Sequence, residues 1–372
     1  MAWALSSFLI QNVKRGLSRN GEKMAKKKKM EDLQKMIIAA IRKQFGSDSA
    51  GVLGEGGQSD VVEVLSTGID VIDQYVLGCK GLPVGRIVEL YSEEAGGKTS
   101  FTWSCIKGAL EQNAIVFLCE TENALNLERA SVFGVDLKRV ILLEPDHMED
   151  AIEKMAFTLE QLPGNVPTLG VWDSIASCAT KAEVLKGLQG KAIWDSRAKI
   201  LSQACRVLSK LAIEKKCSLL FVNQTRQKIG VMFGDSSTTP GGKAVKFAAS
   251  IRLQLYPGKH VENKHEEKIA KSITFLATKN RMASPYRKAV VRLNFATGWD
   301  NAWSTLERAK LLGLVKPAAV RGLRGEALKP FAEEAKIKLD ACGWCRAESE
   351  PAIDTEESEN EETKNEETEV TE

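Results

Sequence analysis

The chain has 372 residues, 43% of them hydrophobic and 27% charged, with a formal net charge of +3. That length and mix suit one large globular domain with appendages, or two domains, and exclude a collagen-like or wholly disordered chain. No stretch approaches the roughly 18 consecutive apolar residues of a membrane span, so no membrane partner is expected.

The small net charge conceals an asymmetry. Residues 347–372 hold 12 acidic side chains against Lys364 alone, which leaves a body of about +14 ahead of an acidic tail. A basic body with an acidic tail suits a nucleic-acid binder as readily as a solvated surface. The eight cysteines form no disulfide-like framework, and Cys119, Cys178 and Cys217 lie in apolar runs, which points to a reducing, cytoplasmic compartment. Cys342 and Cys345 form a lone CxxC pair; a zinc site completed by His260 and His265 would have unusual spacing and is not expected. The basic stretch Met1–Lys23 resembles an organellar presequence in composition. Gly21-Glu22-Lys23 before Met24 also fits a purine-rich ribosome-binding run, and the reading favours a start at Met24.

In chain order, residues 1–29 form a basic extension, and 30–64 a helix with a linker. Met30–Phe45 sets Leu33, Met36, Ile37, Ala40 and Ile41 at helical spacing, with Gly46 as a stop and a flexible Gly46–Ser59 beyond. That stripe packs either on its own domain or on a neighbouring subunit. Residues 65–300 read as an α/β core. Its strands are expected at Arg86–Tyr91, Ala114–Cys119, Thr168–Asp173, Ser218–Asn223, Ser250–Tyr256, Ser272–Thr278 and Ala289–Phe295. Helices are expected at Lys98–Glu111, Leu125–Phe133, Glu149–Leu162 and Ser196–Lys215. The first four strands alternate with helices, which argues for a mostly parallel sheet; the last three follow in quick succession as an antiparallel extension. Residues 301–346 are a short C-terminal region, and 347–372 are too acidic and too poor in apolar groups to fold.

After the strand at Arg86–Tyr91 comes Ser92-Glu93-Glu94-Ala95-Gly96-Gly97-Lys98-Thr99-Ser100, opening a helix. This is a P-loop in strand–loop–helix context: amides and a helix N-terminus for phosphates, Lys98 for the β/γ oxygens, Thr99 for Mg²⁺. The motif's first glycine is Ser92 here, which puts the backbone freedom of that position in question. Asp173, ending an apolar strand, suits the acid that supports Mg²⁺ through water, or alternatively a helix N-cap. Glu120 and Glu122 follow the second strand, where a carboxylate polarises an attacking water. Gln224 ends the fourth strand as a candidate γ-phosphate sensor. Beyond it, Thr225–Lys243 mixes cations, hydroxyls and a Gly-Gly pair with Ile229, Val231, Met232 and Phe233, a combination suited to cradling phosphate while wedging apolar groups between bases.

Leu65-Ser66-Thr67-Gly68, Gly81-Leu82-Pro83-Val84-Gly85-Arg86, the P-loop, Phe221-Val222-Asn223-Gln224 and Lys228-Ile229-Gly230-Val231-Met232-Phe233-Gly234 resemble the bacterial-type RecA recombinases. The resemblance runs from about Met30 to Pro317. It implies a RecA-like P-loop ATPase core with ATP and Mg²⁺ as cofactors, and Glu122 as catalytic glutamate. It further implies Gln224 as nucleotide sensor and Lys279 and Arg281 as cations reaching the neighbouring subunit's ATP. For DNA it implies Arg226, Lys228, Ile229, Met232, Gly241, Gly242 and Lys243 in one loop, Trp194 in another (186–196), and Arg197, Lys199, Ser202 and Arg206 on the following helix. Lys246 and Phe247 match a subunit-interface position. Asn126 and Arg129 replace adenine-contacting residues while Phe295 keeps a stacking position, which relaxes the expected base selectivity. After Pro317 the chain departs from the family's usual C-terminal domain, the part that assists capture of duplex DNA. The implied activity is ATP-dependent strand exchange by a homo-oligomeric filament on single-stranded DNA, pairing it with duplex DNA, with stimulation of SOS-type repressor self-cleavage. The alternatives are a non-catalytic filament scaffold and a RecA-core helicase or regulatory ATPase.

Overall fold

The structure, a computed structural model, describes residues 28–47, 49–52, 63–122, 125–186, 193–227, 237–240, 243–321, 323 and 325–345. The start at Met24 and the acidic tail lie outside the described residues. The chain divides into two units, residues 1–60 and 61–372.

The first unit holds helix α1 (residues 28–45), two residues longer at its start than its apolar period required. Gly46 ends it at φ +106°, a conformation that favours glycine, and its N–H donates to the Arg42 carbonyl (2.9 Å). Leu33, Met36 and Ile37, three of the five stripe residues that define this helix in sequence, are exposed.

The second unit opens with a ribbon of β1 (Val64–Leu65) and β2 (Leu82–Pro83), linked through a π-helical turn at Ile72–Val76. An alternating stretch follows: β3 (Ile87–Ser92), α2 (Lys98–Glu111), β4 (Ile115–Glu120), α3 (Leu127–Val132), β5 (Val140–Leu143) and α4 (Met148–Gln161). Next come β6 (Thr168–Asp173), α5 (Lys181–Lys186), α6 (Ile193–Glu214) and β7 (Cys217–Gln224). A second ribbon, β8 (Arg226–Gln227) with β9 (Ser237–Thr238), leads to α7 (Lys243–Ala248). The chain closes with β10 (Ile251–Glu262), β11 (Lys268–Asn280), β12 (Lys288–Asn294), β13 (Gly298–Asp300), α8 (Asn301–Leu311) and α9 (Lys329–Ala341).

Nine strands form one sheet in the order β13-β12-β11-β10-β3-β7-β6-β4-β5. From β10 to β5 all neighbours are parallel, while β10 to β13 pair antiparallel. The parallel strands β3, β6 and β7 are buried almost throughout, as strands covered on both faces must be. Successive residues serve opposite cores: Val116 and Leu118 face α2, whereas Phe117 and Cys119 face α4 and α6. Gly170 is where the two central strands meet a ring; a Cβ there would strike Phe117 and Leu219.

Helix Lys98–Glu111 and strand Thr168–Asp173 have the bounds read from the sequence, and the other expected elements shift by a few residues. Several elements were not anticipated, among them the two short ribbons, α5, α7, β13, β5, α8 and α9. Strand β5 is a four-residue edge with Ile141 and Leu142 exposed, so it carries neither a buried run nor an alternation. Helices α8 and α9 lie in residues 301–346, and Leu306, Ala309, Ala335 and Leu339 join the same apolar cluster as Val291 and Leu293 of β12. Asp300 caps α8 by accepting from the Trp303 N–H (3.0 Å), and Lys336 of α9 pairs with Asp70 (2.7 Å).

Candidate functional site

The site forms where β3, β7, β6 and β4 end side by side. In register, Ser92 faces Gln224 and Glu120 faces Asp173, so residues far apart in sequence meet at one sheet edge. Ligand crevices in open parallel sheets lie outside these carboxyl ends. A cavity of about 370 Å³ occupies this position, bounded by Glu94–Ser100 and by Glu122, Asp173 and Gln224.

The loop from β3 to α2 takes its shape from three positions. Gly97 adopts φ +91° beneath Ile273, and Ala95 adopts φ +55° at the exposed turn. Ser92, 1% exposed, is not among the positive-φ residues, so a side chain is tolerated where the motif has its first glycine. The serine instead fills the space beside Gly96, where a Cβ would collide with Ser92 Cβ and Oγ. Lys98, the first residue of α2, donates through Nζ to Glu93 O (2.8 Å), Ser92 Oγ (3.1 Å) and Ser92 O (3.3 Å). It thus lies folded along the loop, with its charge at the loop end of the cavity.

Opposite Lys98 stand three carboxylates. Glu120 Oε1 accepts from the Glu122 N–H (2.9 Å) and fixes the strand end. Glu122 Oε1 accepts from Ser174 Oγ (2.5 Å) and Gln224 Nε2 (3.4 Å). Asp173 is followed by turns, not by a helix, so it caps nothing and lines the cavity. Burial pushes its carboxyl up to about 7, with Glu122 and Glu120 adding to the effect and Lys98 opposing it. Burial also lowers Lys98, against the pull of Asp173, Glu122 and Glu94. The edge therefore holds more buried negative charge than Lys98 offsets, which is the setting for a hard cation. Thr99 and Asp173 line the cavity with oxygen donors of the kind that a hard divalent cation takes. Among the described residues no group of three His, Cys, Asp or Glu forms a metal cage by itself.

The far end of the cavity is lined by Arg129, Lys271, Ile273, Leu293 and Phe295. Arg129 Nη1 donates to the Phe295 carbonyl (2.6 Å), joining the two walls. Asn126 Oδ1 accepts from the Arg129 N–H (2.8 Å) as the N-cap of α3 and does not line the cavity. Lys271 is a site residue that the sequence did not disclose. It comes from β11, and its Nζ approaches the Ala95 carbonyl (3.4 Å).

Within one chain Lys279 and Arg281 do not line this cavity. Lys279 Nζ donates to the carbonyls of Lys246 (2.7 Å) and Phe247 (3.1 Å) at the end of α7, and Arg281 Nη2 to that of Phe247 (3.5 Å). Burial, with Arg281 and Arg252 nearby, pushes Lys279 down to about 8. Phe247 beside them is exposed.

The nucleic-acid candidates divide. Gln224 leads through Thr225 into the β8–β9 ribbon, so a paired root stands where an open loop was expected. Arg226 forms part of that root, and Lys243 opens α7 in an exposed position. Lys228, Ile229, Met232, Gly241 and Gly242 lie outside the described residues, as does the side chain of Trp194 in the first turn of α6. Lys199 and Arg206 are exposed on α6, with Arg206 Nη1 donating to Ser202 Oγ (3.2 Å). Arg197 is turned inward: its Nη2 donates to the carbonyls of Ile175 (2.9 Å), Ala176 (3.0 Å) and Cys178 (2.6 Å), which anchors the turn after Asp173.

Residues 32–300 match the RecA N-terminal domain family. The chain is 34% identical over 284 residues to Protein RecA of Psychrobacter cryohalolentis, covering 76% of this chain and 79% of that one. It is 33% identical over 306 residues to Protein RecA of Lactococcus lactis subsp. cremoris, 81% and 78% of the two chains. With Protein RecA of Mesomycoplasma hyopneumoniae the identity is 32% over 311 residues, 83% and 90% of the two.

Proposed function

Because this chain belongs to the RecA family of nucleotide-binding recombination proteins, we propose that it is an ATP-hydrolysing recombinase that assembles on single-stranded DNA and pairs it with homologous duplex DNA. The observation that carries this reading is the placement of Gln224. Its amide lies 3.4 Å from Glu122 Oε1 at the cavity edge, and its backbone begins the ribbon that leads into the DNA-loop sequence.

ATP would lie with its phosphates along the Ser92–Ser100 loop, and Mg²⁺, held through Thr99 and Asp173, would neutralise phosphate charge. Lys98 swings from the Glu93 and Ser92 carbonyls to the phosphates. Glu122, steadied by the Ser174 hydroxyl, accepts the proton of the attacking water. Gln224 exchanges its contact with Glu122 for the γ-phosphate and so reports nucleotide state to the ribbon. Lys279 and Arg281 complete the site of an adjacent protomer in a filament, since their own cavity lies elsewhere in the chain. Exposed Lys199 and Arg206 meet the DNA backbone, while Arg197 supports the Asp173 turn from within. Residues 30–64 serve subunit contact, consistent with the exposed stripe of α1. The cytoplasmic compartment and stimulation of SOS-type repressor self-cleavage are part of the same reading.

Strand exchange between circular single-stranded DNA and a linear homologous duplex tests it. Joint molecules form with ATP and Mg²⁺ and vanish with Lys98→Ala. Joint molecules that survive combined Arg226→Ala and Lys228→Ala would remove the loop from the DNA interface.

A further inference from the structure

A buried polar chain runs beneath the ribbon and takes no part in the nucleotide chemistry. At its centre is Glu89, fully buried in the middle of β3. One carboxylate oxygen, Oε1, accepts from Asn223 Nδ2 (3.1 Å), and the other accepts from Arg252 Nε. Asn223, also fully buried, donates through the same nitrogen to the carbonyl of Pro240 (3.1 Å), at the far root of the ribbon. Its Oδ1 accepts from the Gln224 N–H (3.0 Å), at the near root.

On the other side, the Arg252 guanidinium lies 4.4 Å over the Tyr91 ring. The Tyr91 hydroxyl is 2.8 Å from Thr278 Oγ1, which itself reaches the Arg252 carbonyl (3.3 Å). Thr278 immediately precedes Lys279 on β11. The chain thus passes across β7, β3, β10 and β11, four neighbours in the sheet, from both roots of the ribbon to the strand of Lys279.

A buried ion pair is weak evidence for stability, because apolar residues of similar volume serve as well or better. Its members are bound to one another: a half-satisfied buried network is costlier than none, so one end cannot shift without the rest rearranging. We propose that Glu89 is a positioning residue coupling the ribbon roots to the Lys279 strand. Placement of the ribbon roots and placement of Lys279 and Arg281 against nucleotide are then one event. The inference rests on the proposed recombinase reading and assigns the path by which its two ligands communicate.

The test measures affinity of the full chain for a fluorescent oligo-dT, with and without Mg²⁺ and ATPγS, together with ATPγS affinity. In the wild type, nucleotide tightens DNA binding by about tenfold or more. In Glu89→Gln that enhancement falls to within about twofold, while nucleotide-free DNA affinity and ATPγS affinity stay within about threefold of wild type. A merely structural role would weaken both DNA affinities alike and leave their ratio unchanged, which would overturn the proposal. Tyr91→Phe keeps the ring under Arg252 and removes the hydroxyl, with its link to Thr278 and its bond to Gln254 Oε1 (3.2 Å), so it decides the matter if Glu89→Gln does not fold. An enhancement at least threefold smaller than wild type supports coupling, and a smaller reduction refutes it. Wild-type protein that binds DNA and nucleotide without enhancement sinks this inference alone. Wild-type protein that binds neither sinks the recombinase reading with it.

Discussion

The Ser92 side chain occupies the space that a Cβ on Gly96 would need, so the two residues of the phosphate loop are mutually fitted. Ser92 is a permissible replacement for glycine because its backbone lies outside the left-handed region, and the smallest residue opposite makes room for it. Ser92→Gly is expected to leave nucleotide affinity within about threefold, losing the Lys98 contact at 3.1 Å and the hydroxyl's bond to the Glu93 carbonyl (2.7 Å). Gly96→Ala forces the loop apart at an overpacking cost of about 1–3 kcal/mol, or about 5- to 150-fold in nucleotide Kd. Titration calorimetry of both variants checks this; equal affinities would contradict the fitted-pair account.

Asp173 makes the nucleotide-free protein pH-sensitive in a definite direction. Its carboxyl is raised from 3.8 to about 7, so between those values the folded state holds a proton that the unfolded chain has released. Stability therefore falls as pH rises through that window. Asp73, raised to about 7 by burial against hydrogen bonds from Thr67 and Ser66, adds to the same slope. Asp173→Asn should remove its share, on the order of 1–4 kcal/mol at pH 8. Thermal melts at pH 5 and pH 8 measure it. Asp173→Asn should melt higher than wild type at pH 8 and no higher at pH 5; identical melting at both would count against the assignment.

At the far end of the cavity, Asn126 caps α3 and Arg129 is held by the Phe295 carbonyl, so neither offers an acceptor to a base edge. A site that stacks a base without hydrogen-bonding its edge discriminates weakly. GTP should therefore compete with ATP to within about tenfold, and Arg129→Ala should weaken both together. Competition against a fluorescent ATP analogue reads this directly, and an ATP preference near a thousandfold would refute it.

The C-terminal helices belong to the core's energetics. Trp344 is 2% exposed, its indole N–H donates to Asp340 (2.7 Å), and its carbonyl receives Arg308 (2.6 Å), whose guanidinium lies 3.4 Å over Tyr75. Trp344→Ala should cost about 3–5 kcal/mol in urea unfolding. A loss under about 1 kcal/mol would mean that α8 and α9 unfold separately from the sheet.

Much of this was legible because the signals were local. Thr168–Asp173 is a buried run ending in an acid, and Lys98–Glu111 starts at a loop whose glycines mark its edge. Val140–Leu143 was hidden because an edge strand of four residues with two exposed has no pattern to read. Lys271 was hidden for a different reason: only the return of β11 beside β10 brings it to the loop at Ala95. Glu89 carried no signal of its own, because its partners Asn223 and Arg252 come from strands far away in the sequence. Arg197 resembled a DNA contact by position, yet three inward carbonyls hold it.

The central claim is that Glu122 and Gln224 join nucleotide hydrolysis to DNA binding. ATP hydrolysis by the full chain, measured with and without single-stranded DNA on wild type and Glu122→Gln, tests it most directly. The account predicts hydrolysis stimulated about tenfold or more by DNA, and a loss of about 10²–10⁴ in Glu122→Gln with DNA binding retained. Wild-type hydrolysis that ignores DNA, or that persists undiminished in Glu122→Gln, would contradict it.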